Sequence, residues 1–129
     1  MIDTGQLNIH SYKNLHSRAI QTVALYAVDE LRAELVVLPP GAVVQEHSHA
    51  RLHELFDVVE GEGTFQVGER SFVGGPGKCV LVTAGLRHSI HNHSDAPWVL
   101  RITYQEQLNP WDVGRLISRA LRRKFKIRF

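Results

Sequence analysis

Between Gln21 and Tyr104 the chain reads as short, β-rich strands with turn signals between them. QTVALYAV and ELVVL carry β-branched residues, and the PPG at 39–41 closes them off. LFDVVEGEGTFQVGERSFV reads as two strands around GEG, followed by a tight reversal at Gly68-Glu69. GGPG at 74–77 is a further turn, CVLV a buried strand, and TAG at 83–85 another turn. SIHNHSDAPW ends a strand in a loop, and VLRITY is the last strand. Helical periodicity is nearly absent here, so the spacing predicts an all-β barrel or sandwich over residues 21–106. Residues 1–20 form an N-terminal arm on this reading.

The last segment, 107–129, follows a different pattern. Asn109 suits a helix cap, Pro110 the first turn, and Asp112 the positive end of the helix dipole. Val113, Leu116, Ile117, Ala120 and Leu121 recur at helical spacing, which predicts an amphipathic helix over 110–123. The segment 109–129 holds seven of the 15 basic residues and one of the 13 acidic ones. The rest of the chain is therefore acidic, and the net charge of +2 is a property of the tail. A nucleic-acid partner is disfavoured, since no aromatic-interleaved basic motif accompanies that charge. The preferred role for the helix is packing on the barrel or on a second copy, ahead of contact with a membrane surface.

No apolar run approaches the ~20 residues that cross a bilayer. The opening MIDTGQLNIHSYKNL has neither basic leader nor apolar core, and the single cysteine, Cys79, excludes an internal disulfide. A reducing, cytoplasmic setting is the expectation. Cys79 itself, inside an apolar run, is expected to be a small buried hydrophobe.

Six of the eight histidines lie between His47 and His93, three of them in HSHARLHE, 47–54. On a strand, His47 and His49 face the same side. Glu54 opens the next strand, sharing an inward face with Phe56 and Val58. His53 then alternates outward, as a solvent histidine. Imidazole nitrogens and one carboxylate make a donor set suited to Fe(II), Mn(II), Ni(II), Co(II) or Zn(II), and His88, after the TAG turn, is the best fourth donor. His91 and His93 are expected at the surface, and Asn92 in a turn or cap. Tyr26, Phe56, Trp98 and Tyr104 are expected to pack, and Arg101 to be exposed.

These residues also carry a family resemblance. Gly41 to Gly61, G-AVVQE-H-S-H-ARLH-E-LFDVVE-G, resembles the first cupin motif at every defined position. Gly77 to Asn92, G-KCVLV-T-A-G-LR-H-SIH-N, resembles the second, with Thr83 where the family usually has proline. Fifteen residues separate the two, a spacing similar to that of small single-domain cupins. The resemblance implies a jelly-roll barrel holding one divalent transition metal (Fe, Mn, Ni, Co or Zn), with His47, His49, Glu54 and His88 as its ligands. It also implies a homodimer. Its functional range covers enzymes acting on a small polar or anionic molecule at the open metal position, of dioxygenase, isomerase or lyase type. The alternative is a non-catalytic, metal-dependent binding or sensor protein. A polar cluster facing the metal across the barrel would favour the enzyme.

Overall fold

The computed structural model describes residues 4–106. After a single 3-10 turn, Ile9–Ser11, nine strands follow. They are β1 (Gln21–Val28), β2 (Leu31–Leu38), β3 (Val43–His47), β4 (Leu52–Glu60), β5 (Gly63–Val67), β6 (Arg70–Gly74), β7 (Cys79–Val82), β8 (His88–His91) and β9 (Trp98–Glu106). Two antiparallel sheets form, one of five strands in the order β1-β2-β9-β4-β7 and one of four in the order β3-β8-β5-β6. The helix expected over 110–123 lies outside the described residues. Among the described residues, no helix is long and apolar enough to cross a membrane.

Strand alternation assigns side chains to the space between the sheets. From β2 come Val36 and Leu38, from β4 Phe56 and Val58, from β5 Phe65 and Val67. Val82, Ile90, Trp98, Leu100 and Ile102 complete this inner core. Trp98 is fully buried, and its indole N–H donates to the Gly74 carbonyl at 3.1 Å. Phe56, Phe65 and Trp98 stack edge to face, at centroid separations of 5.5 and 5.0 Å.

ELVVL lacks clean alternation because both of its faces are covered. Leu35 and Val37 turn outward and, with Leu25 and Val99, make a second core beneath Leu7, Ile9 and Tyr12 of the arm. The ion pair between Lys13 and Glu60 and a hydrogen bond from the Tyr26 hydroxyl to the Gly5 carbonyl tie the arm down. CVLV differs. It lies at the edge of its sheet with one face open, so Val80 and Val82 turn inward while Cys79 and Leu81 are exposed. The expectation of a buried Cys79 is thereby corrected: a four-residue apolar run on an edge strand buries alternate residues only. Cys79 stands opposite Asp57, and Asp57 opposite Arg101, across three strands of the outer face. Partial desolvation on the sheet surface, then hydrogen bonding to Asp57, pushes the Cys79 thiol up from its ordinary value.

The motif glycines Gly41, Gly61, Gly77 and Gly85 all have φ between +80° and +85°. Gly61 adds a steric demand, because a Cβ there would lie 2.2 Å from the Pro97 carbonyl oxygen.

Candidate metal centre

The four donors come from both sheets. His47 ends β3, just past a register shift between Val44 and His47. His88 begins β8 and pairs directly with His47. Glu54 projects from β4 on the inward face shared with Phe56 and Val58, as alternation predicts. His49 differs from expectation, since it lies beyond the end of β3 rather than on the strand. Its position is set instead by the loop backbone, where the Gly85 N–H donates to the His49 carbonyl at 2.7 Å.

One donor atom from each of His47, His49, Glu54 and His88 lies within 4.8 Å of all the others. Glu54 Oε1 is 3.0 Å from His88 Nε2 and 3.4 Å from His49 Nε2. Two tautomers follow from hydrogen bonding alone. The Nδ1 atoms of His47 and His88 lie 2.7 and 2.9 Å from the carbonyls of Gln45 and Leu86, which can only accept. Both Nδ1 atoms therefore carry the proton, and in the neutral rings Nε2 presents a lone pair. Burial, more than the charges of His47 and His88, lowers the His49 pKa, and Glu54 opposes the shift. His49 thus favours the neutral, donor form at neutral pH.

These atoms fit a divalent cation. Glu54 Oε1 and His88 Nε2 are buried and have no hydrogen-bond partner among the described residues. Two lone pairs held 3.0 Å apart repel unless a positive centre lies between them. Donors about 2.1 Å from a shared ion and at right angles stand about 3.0 Å apart, so the spacing suits adjacent positions of an octahedral ion.

The turn carrying His88 survives without the family's proline. The Leu86 N–H donates to the Thr83 carbonyl, and Gly85 supplies the positive φ that such a turn needs at its third residue. The Ala84 N–H donates to His53 Nδ1 at 2.9 Å. His53 is exposed as expected, and it also braces this turn. His91 and His93 are exposed, with His93 Nε2 2.7 Å from the Thr64 hydroxyl. Asn92 is fully buried: its amide donates to the Leu38 and Ala96 carbonyls and its oxygen accepts from the Ser94 N–H and hydroxyl. Arg101 faces away from the barrel interior and pairs with Asp57 at 3.0 Å.

The donor cluster opens onto a cavity of ≈ 330 Å³. Its walls include Val36, Phe56, Ile90 and Ile102, and also three polar residues from β1, β2 and β9: Thr22, Glu34 and Tyr104. Glu34 and Thr22 were missed by the sequence reading. The available signal was the phase of Glu34, two residues before Val36 on a strand whose even positions face inward.

The cupin domain family matches residues 34–104. No curated protein matches the chain. Among solved structures, a Thermus thermophilus protein is similar with a TM-score of 0.74 at 20% identity, over 80% of this chain and 98% of its own. A cupin-superfamily sugar phosphate isomerase from Silicibacter pomeroyi aligns with a TM-score of 0.63 at 22% identity, over 69% and 60%. The cupin domain of an XRE-family transcriptional regulator from Enterobacter cloacae aligns with a TM-score of 0.64 at 20% identity, over 70% and 100%. Two motifs in order, two antiparallel sheets and a family match over most of the barrel agree: the chain belongs to the cupin family.

Proposed function

We propose that the protein is a mononuclear, divalent-metal-dependent enzyme that moves protons on a small oxygenated molecule, in the manner of an isomerase or lyase. His47, His49, Glu54 and His88 would hold the ion. When bound, such an ion supplies Lewis-acid stabilisation of negative charge on a substrate oxygen. The protein's own contribution is a rigid donor set, a largely apolar chamber that limits water, and polar groups on the opposite wall. The observation that carries the reading is that wall: a carboxylate, a phenol and a hydroxyl share the cavity with the donor cluster. A dry interior of valine, leucine and phenylalanine would offer nothing to receive or return a proton.

The test is to load the full chain separately with Fe(II), Mn(II), Ni(II), Co(II) and Zn(II). Each form is then offered small hydroxy-carbonyl compounds in deuterium oxide, with oxygen consumption followed alongside. Deuterium uptake at carbon is the expected result. Oxygen consumption without deuterium uptake would make the protein a dioxygenase. Saturable binding with neither would make it a binding or sensor module.

A further inference from the structure

We infer that His53 is a positioning residue of the metal centre. Its side chain holds the turn before His88 where the family usually has a proline, and so sets how firmly His88 keeps the ion. The inference rests on the four donors holding an ion and is independent of the reaction that follows.

The ladder between β4 and β7 has its last register pair at Glu54 and Val82. There β7 ends and the turn at 83–86 begins, closed by the Leu86 N–H on the Thr83 carbonyl at 3.1 Å. β7 is the last strand of its sheet, so the turn continues a strand that is paired on one side only. A side chain extends that pairing by one step: the Ala84 N–H donates to His53 Nδ1 at 2.9 Å. An amide N–H can only donate, so Nδ1 accepts, and in the neutral ring the proton lies on Nε2. The next amide, that of Gly85, donates to the His49 carbonyl at 2.7 Å. Two successive amides of the turn are thus anchored on the segment that joins the donors His49 and Glu54.

From the turn the constraint passes to His88. Its backbone is fixed by pairing with His47 and Val67. Its ring is aimed separately, by the Nδ1–H bond to the Leu86 carbonyl at 2.9 Å, and Leu86 is the last residue of the turn. A turn that tilts carries that carbonyl with it. The Nε2 lone pair then swings away from Glu54 Oε1, which it faces at 3.0 Å.

A proline at 83 would restrain this turn through its fixed φ. Thr83 restricts that dihedral less, and the His53 bond restrains the next residue instead. The two devices act on adjacent residues, so one of them suffices and the loss of both loosens the turn. A hydrogen bond of this exposed kind shifts an equilibrium by about fivefold.

The experiment loads the full chain with Co(II) and times its release to an excess of chelator by visible absorption. His53→Ala should hold its Co(II) before the chelator is added, then release it about three- to tenfold faster than the wild type. His53→Asn, whose Oδ1 accepts from the Ala84 N–H as Nδ1 does, should release it at close to the wild-type rate. Thr83→Pro should change the wild type little and return the His53→Ala rate to within about twofold of it. Exchange of the Ala84 amide hydrogen, followed by NMR without metal, should quicken in His53→Ala and not in His53→Asn. Release from His53→Ala at the wild-type rate overturns the inference. Faster release that neither His53→Asn nor Thr83→Pro corrects also overturns it, since the loss then belongs to another contact of His53. Unchanged Ala84 exchange in His53→Ala overturns it while leaving the metal reading intact. A wild type that takes up no Co(II) removes both.

Discussion

At the scale of single residues, Asn92 is fully buried and hydrogen-bonded at both ends of its amide. It joins the end of β2, the end of β8 and the loop at 94–96 through both ends of one amide. Asn92→Ala leaves the Leu38 and Ala96 carbonyls without their buried donor, and should cost about 2–4 kcal/mol in urea unfolding. A cost below about 1 kcal/mol would show that the loop rearranges without it. His49 makes a prediction about pH. Its folded-state pKa lies below the ordinary 6.5, so an unfolded chain takes up the proton first as pH falls. The stability contributed by neutral His49 is full above about pH 6.5 and is lost on acidification below it. Thermal midpoints of metal-free protein should be flat above pH 7 and decline below 6.5, with a shallower decline in His49→Gln. A midpoint that rises on acidification would reverse the sign. The meeting of His47, His49, Glu54 and His88 was legible from sequence because their spacings are those of two motifs. The loop position of His49 was not, because alternation describes strands and says nothing about where a strand stops.

At the scale of elements, alternation placed Glu54, Phe56 and Val58 inward on β4, and the structure has them there. Reading CVLV as a buried run failed for Cys79, and alternation said too little about ELVVL, for a shared reason. Phase tells which residues share a face, but whether the outer face is covered depends on elements far away in sequence. The arm covers β2, while among the described residues nothing covers the outer face of β7. Glu34 went unnoticed for the same cause: a charged residue at the start of an apolar run looks like a strand end until the cavity is seen. The hairpin entered through Gly61 also rests on close approach. A Cβ at Gly63 would stand 2.3 Å from the Trp98 ring. Gly63→Ala should therefore destabilise the barrel by about 1–3 kcal/mol, read as a lowered unfolding midpoint. An unchanged midpoint would mean that the Trp98 pocket yields.

At the scale of the whole molecule, two sheets pack an apolar core around Trp98 and open, at the histidine end, into a partly polar chamber. Among the described residues, the donor cluster and the cavity walls lie within 20–104. Deleting residues 109–129 should accordingly leave metal content unchanged, and loss of metal from the shortened chain would place part of the site in the tail. The central claim is that four side chains from β3, β4, β8 and the loop after β3 hold one ion. Elemental analysis after purification without chelators tests it most directly. About one divalent transition metal per chain is expected, falling sharply in His49→Ala and Glu54→Ala and holding in His53→Ala. No metal in the wild type, or equal loss in all three variants, would contradict it.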